Sequence, residues 1–373
     1  MSVRSVIWAA AFALFAFASQ SAFAQAPTRQ PGEYPLTEDS LAHENVAHGT
    51  LNGPFEFHST IFAGTVRRYW IYVPTHYRRL RAPANLLVFQ DGQRATNPGG
   101  SLRVQNVLDN LIAKGDIPPT LGVFITPGNL SEHYPDNLGF GNPDHRAPEY
   151  DALNDSYARM LIDELLPEVV RSYRFSNDPT HRVIGGTSSG AIAAFTVAWH
   201  RPDAFANVIS MIGSYTSIGY APATADHPLV PGGDLYPGMI RKSPIRPIRI
   251  FLQDGSGDLD NEHGNWFLAN QQMLAALQWA NANAEAQHTP GARYDIDHAW
   301  GDGAHSDQHG GALLPEIFAV DLGAIRRRSN SRLLSLSHSG AAKLNPEPRA
   351  NTQLYDPWVP VSLRSPGMTE DKM

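Results

Sequence analysis

HRVIGGTSSGAIAAFTVAWH, residues 181–200, places a strand end, a Gly-x-Ser-x-Gly pentapeptide and an alanine-rich helix in direct succession. Gly186 and Gly190 flank Ser188 where a side chain would collide in a tight strand-to-helix turn, and such a turn lifts the hydroxyl clear of the sheet edge. A five-residue pattern with two free positions arises by chance in many chains, so its neighbours must carry the reading. Arg182-Val183-Ile184-Gly185 has strand character and follows the turn-prone Ser176-Asn177-Asp178-Pro179, while Ala191 to Trp199 contains no helix breaker before Pro202. Strand, glycine turn and helix therefore stand where a nucleophile elbow needs them. Ser188 is the candidate nucleophile, and Ser189, which opens the helix, is the candidate for the first oxyanion-hole N–H.

Working outward, Asn85 to Gln90 is a near-continuous apolar run, as expected of a strand covered on both faces. It stops at Asp91-Gly92-Gln93, where Gly92 and Gln93 become candidates for the second oxyanion donor. Ahead of it, Phe55 to Pro74 alternates like antiparallel strands, most clearly from Thr65 to Val73. After it come a helix over 103–114, a buried strand over 121–126, a long aromatic and charged loop over 129–150, and a helix over 157–170 with an apolar face of Leu161, Ile162, Leu165, Leu166 and Val169. Past the elbow, strands are expected over 207–212 and 248–253. A Pro/Gly/Tyr-rich excursion over 215–247 separates them and would cap the site. Alternating strands and helices predict an α/β fold with a mostly parallel central sheet flanked by helices.

Two loops downstream supply the partners a serine needs. Asp254-Gly255-Ser256-Gly257-Asp258-Leu259-Asp260 precedes a helix over 270–282, and a last strand near 293–297 opens into Gly301-Asp302-Gly303-Ala304-His305-Ser306-Asp307-Gln308-His309. Serine, then acid, then histidine is the chain order of the α/β-hydrolase fold. A serine hydroxyl is a poor nucleophile at neutral pH. An imidazole must take its proton, and a carboxylate must fix the tautomer and stabilise the imidazolium. Ser188, Asp258 and His305 fit these roles. Asp254 is expected to bind loop amides and Asp260 to face solvent or cap the next helix. The chain has 15 histidines, and His298 and His309 compete with His305. A metal centre built from Asp297, His298, Asp302, His305, Asp307 and His309 is the rival reading, disfavoured because no His-Glu-x-x-His helix is present and Gly301 and Gly303 argue for loop. A hydrolase fold that only binds a sugar or siderophore is a third reading, which the complete Ser/His/Asp set argues against.

Length and composition agree. The chain has 373 residues, 42% hydrophobic and 17% charged, a net charge of −7 and no cysteine. Arg4, the apolar run 6–18 and Ser21-Ala22-Phe23-Ala24 read as a signal peptide over 1–24, cut after Ala24, so the protein is expected to be secreted or periplasmic. Without disulfides, stability in that compartment must come from a large core. No membrane span is expected once the signal is removed, and the acidic balance without a basic block gives no reason to expect nucleic acid. Residues 25–54 form a polar lead-in, 55–325 the catalytic domain, and 326–373 a Ser/Pro/Asn-rich tail expected to be disordered. A natural tail and a shifted reading frame near residue 318 both explain its composition. A mass measurement on the purified protein separates them.

The motifs GGTSSGAIAAFTVAWHRPDAF, VFQDGQ, FLQDGSGDLDNEHGNW and GDGAHSDQHGGALLPEIF, in this order, resemble the "Putative esterase" family, which includes enterochelin esterases and feruloyl or acetylxylan esterases. The resemblance covers roughly Phe55 to Phe318. It implies an α/β-hydrolase fold and a nucleophile, acid and base at Ser188, Asp258 and His305. It also implies a small-molecule or oligosaccharide ester as substrate, with no cofactor and no metal. Because the family also includes mycolyl-type acyltransferases, transfer to an acceptor other than water is a further implication.

Overall fold

Side chains that alternate along fully buried strands fix the layering of this molecule. Along β3 (Asn85–Gln90), Leu86 and Val88 enter one apolar cluster while Leu87 and Phe89 enter the other, all four with no exposed surface. β6 (Arg182–Thr187) divides Ile184 from Val183 in the same way, and β7 (Asn207–Met211) divides Val208 from Ile209. A period of two with both sets apolar demands a layer of helices on each face. The computed structural model, which describes residues 32–136 and 143–323, supplies both layers.

The other strands are β1 (Thr50–His58), β2 (Thr65–Val73), β4 (Thr120–Ile125), β5 (Asn129–Leu130), β8 (Arg249–Gly257), β9 (Asp260–Asn261), β10 (Gly264–Asn265) and β11 (Asp295–Ala304). The main sheet runs β1-β2-β4-β3-β6-β7-β8-β11, with β5 paired to β2 and β9-β10 forming a separate hairpin. β1, β2 and β4 meet antiparallel, and every pairing from β4 through β3 to β11 is parallel. This is an α/β-hydrolase fold with a mostly parallel sheet, as its sequence pattern predicts.

The helices are α1 (Gly92–Ala95), α2 (Val104–Lys114), α3 (Arg146–Tyr150), α4 (Ser156–Arg159), α5 (Leu166–Val170), α6 (Ser189–His200), α7 (Tyr236–Lys242), α8 (Trp266–Ala286) and α9 (Asp307–Asp321). α4 and α5 are joined through a π-helical turn, Met160–Leu165. Pro167 in the first turn of α5 has no N–H to return to the turn before it, and a widened turn absorbs that loss. α6 is buried on every side from Ser189 to Trp199, so it crosses the interior rather than lying on the surface.

Two elements depart from expectation. β11 runs to Ala304 through Gly301 and Gly303, which composition assigns to a loop. A Cβ at either glycine would meet the Tyr34 ring system and the His309 imidazole, so these are strand glycines on which two rings lie. Secondly, the segment after His305, read as a glycine-rich loop through Gly310 and Gly311, turns helical at Asp307 and closes the domain as α9.

The lead-in is strapped to the domain from residue 32 onward. Asn110 donates to the Asp39 and Leu41 carbonyls, and buried Asp109 accepts from the Gly49 N–H (2.7 Å) and the Tyr72 hydroxyl (2.6 Å). Among the described residues, no helix is long and apolar enough to cross a membrane. The signal peptide read in residues 1–24 and the tail read in residues 326–373 lie outside the described residues.

Candidate active site

Ser188 stands between β6 and α6 with φ +58° and ψ −125°, a region that non-glycine residues seldom occupy. Such a conformation persists only where its surroundings over-determine it. The Ser188 N–H donates to the Met211 carbonyl (3.0 Å), and its carbonyl accepts from Ala191 (3.0 Å) and Ser214 (3.3 Å). The flanking glycines make the turn sterically feasible. A Cβ on Gly186 would lie 2.5 Å from the Gly190 main chain, and one on Gly190 would lie 3.0 Å from the Gln90 Cβ and 3.1 Å from Asp91 Oδ2. The end of β3 therefore presses directly on the elbow.

The carboxyl edge of the sheet brings the three predicted side chains together. His305 Nε2 is 2.9 Å from Ser188 Oγ, and His305 Nδ1 is 2.6 Å from Asp258 Oδ1. Asp258 Oδ1 also accepts the Leu259 N–H (2.6 Å). Burial pushes the Asp258 carboxyl up, but hydrogen bonds from His305 and from Asp254 outweigh it and hold the group below the usual carboxylate range. With Asp258 ionised, the Nδ1 proton points to it and Nε2 faces the serine as a base.

The two competing histidines are elsewhere. His309 is buried in the first turn of α9, stacked on Tyr34 at 4.0 Å with Nδ1 2.8 Å from Gln253 Nε2. His298 is exposed on β11, its ring 5.1 Å from that of Trp300. The three imidazoles do not converge, and among the described residues no group of three or more His, Cys, Asp or Glu side chains is arranged to hold a metal ion.

The expected oxyanion donors lie at helix starts beside the elbow. Ser189 is the first residue of α6, and Gly92 and Gln93 are the first two of α1, so their N–H groups have no partner inside their own helices. Gly92 cannot carry a side chain, because its Cβ would lie 2.6 Å from the Phe124 carbonyl carbon. The turn that presents it is braced from outside: Arg146 donates from Nε and Nη2 to the two oxygens of Asp91 (3.1 and 2.8 Å), and Arg94 makes the same two-point contact with Asp307 (3.0 and 2.6 Å). Paired guanidinium contacts fix orientation as well as distance. Arg94 thereby ties α1 to the segment that carries His305.

A profile of the family described as "Putative esterase" matches residues 62–307, which spans Ser188, Asp258 and His305. The chain belongs to this family. An iron(III) enterobactin esterase of Dickeya dadantii is 29% identical over 149 residues, 40% of this chain and 30% of that protein. Among solved structures, the Shigella flexneri enterobactin esterase crystallised in the presence of enterobactin is 22% identical with a TM-score of 0.54, covering 75% of this chain and 60% of that one. A ferulic acid esterase of Anaeromyces mucronatus in complex with ferulic acid is 14% identical with a TM-score of 0.55, covering 79% and 99%. This member thus spans less than two thirds of its enterobactin esterase relatives, and the two solved structures share its fold.

Ser214 and Trp266 beside the Ser188–His305 pair, and the burial of Asp254, have no counterpart in the sequence reading. Ser214 Oγ lies 3.2 Å from Ser188 Oγ and accepts the Trp266 indole N–H (3.1 Å). Trp266 meets His305 edge-on, with ring centroids 5.8 Å apart. Asp254 accepts the Gly255 N–H as expected, but it does so as a fully buried residue of β8 also hydrogen-bonded to Asn270, and burial together with neighbouring Asp258 pushes its carboxyl up to about 9. The tryptophan ends the NEHGNW motif, but its partners Ser214 and His305 come from two other segments, the former 52 residues away.

Proposed function

We propose that the chain is a serine ester hydrolase that works through an acyl-enzyme. The observation that carries this reading is the unbroken line from Asp258 Oδ1 through His305 to Ser188 Oγ, at 2.6 and 2.9 Å, drawn from three separate segments. Ser188 Oγ attacks the ester carbonyl carbon as His305 Nε2 takes its proton, and Asp258 stabilises the resulting imidazolium through Nδ1–H. The carbonyl oxygen, now an oxyanion, takes hydrogen bonds from the N–H groups of Ser189 and of Gly92 or Gln93. Collapse expels the alkoxide, which leaves with the proton from His305. Water repeats the sequence on the acyl-enzyme, giving the carboxylic acid and restoring the Ser188 hydroxyl.

The substrate class is a small-molecule ester. Enterobactin and feruloyl esters are the first two to assay, because the sequence relative bears the former in its name and a structural neighbour binds ferulic acid. The secretory leader read in residues 1–24 would place this chemistry outside the cytoplasm. The test is labelling with a fluorophosphonate and peptide mapping, alongside turnover of a panel of aryl acetates, feruloyl and acetyl-xylan fragments, and enterobactin. Label on Ser188 and turnover that Ser188→Ala lowers by about 10⁴-fold or more support the reading. Label elsewhere, or undiminished turnover in Ser188→Ala, defeats it.

A further inference from the structure

The C-terminal end of β8 and the turn after it bring two buried carboxyl groups, Asp254 and Asp258, within hydrogen-bonding contact of each other, of which the hydrolytic reading uses one. Asp254 has no exposed surface, and neither does the side chain of Asp258. Asp258 Oδ1 is occupied by His305 and the Leu259 N–H, whereas its Oδ2 is buried and accepts from no N–H or hydroxyl group. Asp254 Oδ1 accepts the Gly255 N–H and Oδ2 accepts from Asn270 Nδ2, both at 2.6 Å. Two ionised carboxylates in contact away from water repel strongly, and a single shared proton turns that repulsion into a short, charge-assisted hydrogen bond.

The partners decide which group holds the proton. Asp258 faces an imidazole that becomes cationic during the proposed reaction. Asp254 is met by α8 with neutral Asn270 and by the Gly255 amide of its own strand. The segment between β11 and α9 presents His305, which reaches Asp254 only through Asp258. Asn270 Nδ2 is itself spread over three acceptors, Asp254 Oδ2, the Gly213 carbonyl (2.9 Å) and the Trp266 carbonyl (3.0 Å), with two hydrogens to give. That is weak support for a second negative charge, and the anion belongs on Asp258.

We propose that Asp254 is a positioning residue which stands as a neutral carboxylic acid and donates its O–H to Asp258 Oδ2, fixing the plane of that carboxylate and leaving its charge directed at His305. The raised titration of Asp254 agrees with this arrangement. A buried acceptor that would otherwise stay empty is satisfied, and Asp258 is held from both sides. The inference rests on Asp258 being the acid of the triad.

The experiment is the pH dependence of kcat/KM for the wild type, Asp254→Asn, Asp254→Leu and Asp258→Asn. It is paired with infrared difference spectra of the full chain between neutral and alkaline pH. The wild type should lose activity on an alkaline limb as Asp254 ionises beside Asp258, and the same titration should bleach a carboxylic acid carbonyl band. Asp254→Asn keeps a donor toward Asp258 but cannot ionise, so it should lose both the limb and the band. Asp254→Leu leaves Asp258 Oδ2 empty and should lose about ten- to a hundredfold in kcat, with KM little moved. If it fails to fold, the limb and band of Asp254→Asn decide alone. An alkaline limb and carbonyl band that persist in Asp254→Asn overturn the proposal. Asp258→Asn separates this from the triad reading: wild-type turnover in that variant would remove Asp258 as the acid, while its collapse with an unchanged limb in Asp254→Asn would remove Asp254 alone.

Discussion

At the scale of single residues, the site is a matter of which carboxylate does what. Asp254, Asp258 and Asp260 fall within seven positions, yet the first is sealed inside, the second reaches the imidazole and the third is exposed in β9. Asp258→Asn should therefore cost about 10⁴-fold in turnover, by leaving His305 in the wrong tautomer, and Asp260→Asn should cost little. Steady-state kinetics on the two purified variants checks the contrast. Asp254 carries a second consequence, for stability. Its proton is retained in the folded protein to higher pH than in the unfolded chain, so between the ordinary aspartate range and about pH 9 the native state binds one proton more. Stability then falls as pH rises through that window, being fully present below it. Urea unfolding at pH 5 and pH 8.5 should show a smaller decline for Asp254→Asn than for the wild type. A paired carboxylate was not legible at Asp254 because Gly255-Ser256-Gly257 looks like loop. What makes it strand is the register of Trp300 and Gly301 against Asp254 and Gly255, a partner more than forty residues away.

Elements were legible where one physical signal dominated. β3, β6 and β7 read as strands because they are apolar on both faces, and α6 because nothing interrupts it. Composition ends β11 early because Gly301 and Gly303 carry a turn signal when alone; only the rings that lie on them, His309 from the helix that follows and Tyr34 from the distant lead-in, give them another purpose. The elbow was legible for the opposite reason: its glycines answer a local steric demand. That demand is testable by a pair of like substitutions. At Gly186 a Cβ would lie 2.5 Å from the Gly190 main chain, which cannot yield without moving α6. At Gly238, in α7, a Cβ meets nothing within 4 Å. Gly186→Ala should lower the melting temperature and displace Ser188, with turnover reduced. Gly238→Ala should raise stability by about 0.5–1 kcal/mol, since alanine favours the helix and restricts the unfolded chain. Thermal melts of both, with turnover of Gly186→Ala, decide whether packing or mere flexibility put glycine in the elbow.

For the molecule as a whole, the question is what holds the segment bearing His305 in place, since the sheet ends at Ala304 and the helix begins at Asp307. Two long-range ties bracket it. Arg94 grips Asp307 from α1. From the other side, the Tyr34 hydroxyl donates to Asp302 Oδ1 (2.6 Å) and accepts the Asp302 N–H (2.9 Å), across a separation of 268 residues, while its ring stacks on His309. The lead-in, which composition presents as a polar approach to the domain, thus braces the far edge strand of the sheet. These Tyr34 contacts go to Asp302 and His309, not to the proposed triad. Tyr34→Phe keeps the stacked ring and removes both hydroxyl contacts, so it should cost about 1–2 kcal/mol of unfolding free energy. Tyr34→Ala should cost more, because His309 also loses the ring that covers it. In neither variant is the Asp258–His305–Ser188 line altered directly, and kcat/KM at neutral pH should change less than stability does. Chemical denaturation and steady-state kinetics on the same preparations give both numbers. Loss of turnover without loss of stability would mean that the lead-in shapes the active site itself rather than the edge strand that supports it.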